Sequence, residues 1–187
     1  MDAPIGELIR TADGGDGAAA RALFAALYRE LHGIAERQLR GSGPGITLGT
    51  TTLLHEAYLD ISAREGLHFP DRAHFLAYAS RAMRGLMIDY VRRRRAKKRG
   101  AEFQLTGTLD EAADGGDAQE SESLERLGDA LDTLGRVDPA LAQLVDLHFF
   151  CGLSLGEIAS LRDVSERTVQ RDWRKARLLL HRTLQEP

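Results

Sequence analysis

The chain has 187 residues, 43% hydrophobic and only 6% aromatic, so it has enough apolar mass for one ordinary core or two small ones built on Leu, Ala, Ile and Val. Its single cysteine, Cys151, excludes an internal disulfide and fits a reducing compartment. The net charge of −3 conceals a division: residues 92–99, RRRRAKKR, hold seven cations in eight positions, while residues 101–132 hold ten acids and a single Arg126, and such a basic block favours a nucleic-acid partner.

The N-terminal stretch MDAPIGELIRTADGG lacks the basic region and apolar run of a signal peptide. No apolar stretch approaches the roughly 20 residues that span a bilayer. These features read as a soluble cytoplasmic protein with no membrane role.

Helical periodicity begins early. Ala20, Leu23, Phe24, Leu27, Tyr28, Leu31, Ile34 and Ala35 recur at three- and four-residue steps, with Asp16 as the expected N-cap and Gly41 as the stop. GSGPG (41–45) is a loop. A second helix is expected from about Thr51 to Arg64, with Leu54, Ala57, Tyr58 and Ile61 inward. After GLHFPD a third starts near Asp71 and runs into the arginine block, its apolar stripe being Phe75, Tyr78, Ala79, Ala82, Leu86 and Tyr90. From about Gly100 to Glu122 the composition turns to Gly, Ser, Asp and Glu, as in a solvated tether. Helices resume near Leu124. Asp138-Pro139 is a start signal, an N-cap followed by Pro at the first helical position, and that helix stops at Gly152. No alternating β pattern of useful length occurs. The expected fold is all-α: two small helical domains at 5–99 and 124–184, joined by an acidic flexible linker at 100–123.

Residues 153–177, LSLGEIASLRDVSERTVQRDWRKAR, carry the most specific pattern. Ser154 and Glu157 form a capping box before a short helix with Leu155, Ile158, Ala159 and Leu161. Asp163 suits a left-handed turn, and Ser165 caps the next helix with Val164 just before it. On that helix Val169, Trp173, Ala176 and Leu180 face inward. Arg167, Thr168, Gln170, Arg171, Arg174 and Lys175 form the other face. A short helix, a turn and a helix with a polar N-terminal face make a helix-turn-helix that enters the major groove. Arg and Gln have the donors to read base edges, while Arg174, Lys175 and Arg177 suit phosphates, which position without specifying. The bland alternative is a helical hairpin with a solvated basic face. In the N-terminal module, Tyr78, Arg81, Arg84, Tyr90 and then Arg92, Arg93 and Arg94 put rings and cations along one helix, a combination suited to single-stranded or melting DNA.

Taken together, residues 5–184 resemble a sigma-70-type RNA polymerase sigma factor of the extracytoplasmic-function (ECF) group. GLSLGEIASLRDVSERTVQRDWRKAR resembles the region-4 helix-turn-helix that binds the −35 promoter element. FLAYASRAMRGLMIDYVRRRRAKKRG (75–100) resembles the regions that open and bind the −10 element. LLHEAYLDI resembles region 2.2, which docks on the β′ coiled coil of core polymerase. The resemblance implies that Glu56, Asp60 and the surrounding helix face bind core polymerase, whose β and β′ subunits are the expected partners alongside promoter DNA. It also implies that the acidic tether threads near the active-site and RNA-exit path. The sequence departs from the family pattern in two places: Gly85 stands where an Asn is usual, and Gly49, Thr50, Thr51 and Thr52 replace the acidic DAED ahead of the LLHE match.

Those threonines admit two readings. In one, Thr51 or Thr52 is an N-cap and Thr50 is loop. In the other, a phosphate added to Thr51, Thr52 or, less well matched, Thr50 by a Ser/Thr protein kinase restores the missing charge, bringing about −1.5 to −2 charges to a helix N-terminus. The six histidines show no metal-ligand spacing with one another or with Cys151, and His148 and Cys151 read as packing residues. Walker A, Rossmann and nucleophile motifs are missing from the sequence, so no enzyme activity, cofactor or metal is expected. The rival from another class is a stand-alone helix-turn-helix regulator whose N-terminal half is a dimerisation or sensing bundle.

Overall fold

The computed structural model describes residues 17–41, 46–64, 67, 69–102 and 111–185. Among these residues every regular element is helical: α1 (Gly17–Ala26), α2 (Tyr28–Gly41), α3 (Thr50–Ser62), α4 (Arg72–Glu102), α5 (Glu111–Val137), α6 (Pro139–Val145), α7 (Leu155–Leu161) and α8 (Glu166–Gln185). A π-helical turn, Asp146–Phe150, extends α6. None of these helices is long and apolar enough to cross a membrane.

The expected first helix is two, α1 and α2, although backbone hydrogen bonding runs on through Leu27, whose carbonyl accepts from Glu30 and Leu31. Asp16 lies outside the described residues. Leu23, Phe24, Leu27, Leu31, Ile34 and Ala35 are buried as their spacing predicts, but Tyr28 is 45% exposed. On α4 the buried line is Leu76, Ala79, Met83, Met87 and Val91. It is turned slightly from the expected stripe, leaving Tyr78, Ala82 and Leu86 at its margin. Asp71 starts this helix, its carboxylate accepting from the His74 amide at 2.9 Å.

The acidic segment departs furthest from expectation. Residues 111–122, expected to be a tether, belong to the helix α5, which runs unbroken to Val137. Its Leu131 and Leu134 pack with Leu141, Val145, Phe150 and Ala176 in a small cluster. The amphipathic repeat of residues 124–134 carries the helix form back into the polar sequence, because propagating an existing helix is cheaper than nucleating one.

The two halves are also not independent cores. Leu144, Leu147, Cys151, Ile158 and Val169 join the N-terminal residues of α1–α4 in one buried cluster, and Trp173 touches both clusters.

Candidate nucleic-acid interface

The helix-turn-helix is built from local signals. Ser154 and Glu157 form the capping box, with the Glu157 amide donating to Ser154 Oγ at 3.2 Å and the Ser154 amide donating to Glu157 Oε2 at 2.8 Å. The Ser154 hydroxyl, donating to Glu157 Oε2 at 2.7 Å, and then the Ser154 amide hold the Glu157 carboxyl below its usual range. Asp163 takes φ +52°, the left-handed turn expected of it. Ser165 accepts from the Thr168 amide at 3.2 Å and starts α8. Arg162 anchors the turn on α6 by donating to the Ala140 carbonyl at 3.0 Å. Val169 and Ala176 are buried, while Trp173 meets the His148 ring edge-on at 4.6 Å. Trp173, His148 and Cys151 thus serve packing.

On the other side of α8, Arg167, Thr168, Gln170, Arg171 and Arg174 line one open concavity. Lys175 does not line it: its ammonium donates to Asp138 Oδ2 at 3.0 Å. That bond, followed by the Leu141 amide, holds the Asp138 carboxyl below its usual range.

The residues expected to serve the second DNA contact are dispersed along α4. Tyr78 packs edge-on to Phe69 at 5.3 Å. Arg81 is half-exposed and reaches Asp146 Oδ2 at 3.5 Å. Arg84 is only 4% exposed and donates to Asp146 Oδ1 at 2.6 Å, so it is withheld from the surface that sequence periodicity gave it. Arg92 faces Glu125 of α5 at 3.5 Å. Arg93 donates to the Asp89 carbonyl of its own helix, and with Arg94 it lines a cleft shared with Thr52 and Glu56. Gly85 is exposed, with open space where a Cβ would stand.

On α3, Glu56 is exposed, and Asp60 pairs with Arg64 at 3.0 Å. The threonines do not cap this helix. Gly49 is the N-cap, with extended backbone and no side-chain capping bond, so Thr50, Thr51 and Thr52 are the first three helical residues. The backbone starts the helix two residues earlier than a Thr51 cap requires, and three earlier than a Thr52 cap. Thr51 and Thr52 are exposed, and no acidic residue stands in that first turn.

Two residues that matter here escaped the sequence reading. Asp146, 2% exposed, lies in the apolar run LVDLHFF, and Arg37 of α2 donates to the Phe150 and Cys151 carbonyls. A lone acid inside an apolar helical run was the available signal, since a buried carboxylate requires a partner.

A helix-turn-helix with a basic outer face, packed against a bundle that bears a long arginine-rich helix, is an arrangement suited to binding DNA. The ECF sigma factor family matches residues 2–186, and the chain belongs to it. Comparison with curated proteins and with solved structures gave no match. Members of this family are non-catalytic transcription initiation factors that bind core RNA polymerase and promoter DNA, which favours a sigma-factor role over a stand-alone regulator.

Proposed function

We propose that this sigma factor reads the −35 element with α8, through Arg167, Thr168, Gln170 and Arg171 at base edges and Arg174 on phosphate. The observation that carries this is the single concavity those side chains line. In the same reading, residues 17–102 form the docking and −10 module, in which α4 takes the −10 element with Tyr78, Arg81, Arg84 and the arginines 92–94. The face of α3 around Glu56 and Asp60 docks on β′. Lys175 has a structural partner in Asp138 and is a weaker phosphate contact than its neighbours.

We further propose that phosphorylation of the first turn of α3 by a Ser/Thr kinase strengthens docking. Its support is that Thr51 and Thr52 are exposed and make no cap, in a turn without acids. A phosphate there meets the helix dipole favourably and offers three acceptor oxygens. The two positions differ: Thr52 shares its cleft with Arg93 and Arg94 of the same chain, whereas Thr51 does not line that cleft. Thr51 is therefore the better candidate for contact with a partner.

The experiment is run-off transcription with core polymerase, together with core-binding affinities of wild type, Thr51→Glu and Thr52→Asp. Specific start sites are expected from the holoenzyme and from neither component alone. Thr51→Glu is expected to bind core at least tenfold more tightly than wild type. Equal affinities, with no gain after kinase treatment, would sink the switch and leave the promoter assignment standing.

A further inference from the structure

The basic helix α8 carries an acid among its cations. Asp172 follows Arg171, and both Nε and Nη2 of the Arg171 guanidinium donate to Asp172 Oδ1 at 3.3 Å. Those two nitrogens form the side edge of the planar fork. The end-on edge, Nη1 with the outer hydrogen of Nη2, keeps two parallel donors, the pattern that meets O6 and N7 of guanine. Arg171 is 74% exposed, and a long exposed side chain loses rotamer freedom when it is fixed at an interface. Asp172 settles part of that orientation in advance. It also acts on Arg162 in the turn: burial pushes that guanidinium's pKa down, and the Asp172 charge is the larger of two that oppose the shift. Arg162 in turn donates to the Ala140 carbonyl at 3.0 Å and to Gln143 Oε1 at 3.2 Å, both on α6.

A second acid meets α8 one turn further along. Asp138 stands at the corner of three helices. Its amide donates to the Leu134 carbonyl at 2.8 Å and closes α5, and its carbonyl accepts from the Ala142 amide at 3.1 Å and opens α6. Its two carboxylate oxygens are divided: Oδ1 caps α6 by accepting from the Leu141 amide at 3.2 Å, and Oδ2 accepts from Lys175 of α8 at 3.0 Å. Asp172 and Lys175 are three residues apart and so share a face of α8. That face is tied to the first turns of α6 twice, by Lys175 directly and by Asp172 through Arg162.

We propose that Asp172 and Asp138 are positioning residues for −35 recognition, a role that rests on the reading of α8 as the −35 helix with Arg171 at a base edge. Asp172 aims Arg171 end-on at its base. Asp138 holds Lys175 so that α8 keeps its seat on α6, and Lys175 is a strut rather than a phosphate contact. An acid beside DNA repels phosphate and weakens binding to every sequence alike. Asp172 therefore trades affinity for discrimination. Exposed ion pairs of this kind contribute little to stability, so their loss shows in DNA binding and not in the fold.

The test measures holoenzyme affinity for promoter fragments with single −35 substitutions at several salt concentrations, a cooperative melt establishing that each variant is folded. Asp172→Asn and Asp172→Ala remove the same charge, but only Asn keeps an oxygen that can accept from Arg171. Both should bind all fragments more tightly by a similar factor. Discrimination at the base position read by Arg171 should fall about threefold or more in Asp172→Ala and stay near wild type in Asp172→Asn. Equal discrimination in the Asn and Ala variants means that only the charge acts, and it overturns the aiming role. Arg171→Ala separates the two levels. If it loses discrimination while Asp172→Ala does not, the aiming role fails and the base contact stands. If Arg171→Ala keeps full discrimination, the reading of α8 fails and the aiming role with it. Asp138→Asn preserves the cap of α6, because Asn caps as well as Asp. Asp138→Asn and Lys175→Met should each weaken binding about twofold to threefold with the salt slope unchanged, and the double variant should be no weaker than either. A salt slope lowered by about 1 in Lys175→Met, with tighter binding in Asp138→Asn, makes Lys175 a phosphate contact and overturns the strut.

Discussion

Ser154 shows how much one side chain settles locally. Its hydroxyl accepts from the Glu157 amide while Glu157 closes the reciprocal bond, so the register of α7 is set within four residues. Such local devices were legible in the sequence: the box, the Asp138 cap, the left-handed Asp163 and the Ser165 cap all stand where the sequence put them. The threonines were not legible, because three consecutive hydroxyls offer three starting registers and the backbone used Gly49 instead. Ser154→Ala should cost about 1 kcal/mol and lower the melting temperature by roughly 2–4 °C, measurable by circular dichroism. Acid should act on the same module. Asp138 and Glu157 have folded-state pKa values depressed below 3.8 and 4.5, so their stabilisation is complete above those values and is lost as pH falls through the folded ones. The melting temperature should therefore fall as the pH drops below about 4.5. Lys175→Met, which removes the largest cause of the Asp138 shift, should flatten that fall.

At the scale of the element, α8 was readable because one face is apolar at helical spacing and the other polar, which leaves one orientation on the core. Helix α4 was harder: apolar residues cover a wide arc, and periodicity alone did not say which edge goes deepest. The choice fell to packing against α2, where Gln38 donates to the Ser80 carbonyl and hydroxyl at 3.0 and 2.9 Å. Helix α5 was missed at its start because glycine and serine lower local helix preference without abolishing it. The division of labour proposed for α8 gives a further prediction. Arg171→Ala should cost about 1–3 kcal/mol at the preferred −35 sequence and relax the preference at one base position. Arg174→Ala should weaken all sequences alike and lower the salt slope of binding by about 1. Holoenzyme affinities across a set of −35 variants, measured at several salt concentrations, separate the two. Equal behaviour of both substitutions would refute the assignment of base and phosphate roles.

Across the whole molecule, the decisive contact joins residues 62 positions apart, which no local pattern reports. What the sequence did hold was half of it, an acid in an apolar run, and nothing in periodicity points that acid at Arg84. The energetics of the pair decide whether the two halves can part without unfolding. Removing one member of a buried ion pair costs about 3–5 kcal/mol, because the other charge stays desolvated, whereas replacing both by apolar residues is often neutral. In Asp146→Ala the stranded Arg84 has a cheaper escape if the halves can part: it reaches water by opening rather than by unfolding. Calorimetry should then resolve two transitions, an early one for separation and a later one for the modules. Arg84→Leu/Asp146→Leu should keep a single transition close to that of wild type, since half-exposed Arg81 retains access to water when its partner is lost. If Asp146→Ala instead shows one transition displaced by the full 3–5 kcal/mol, the two halves form one cooperative unit. The pair would then be core structure that holds the two halves together.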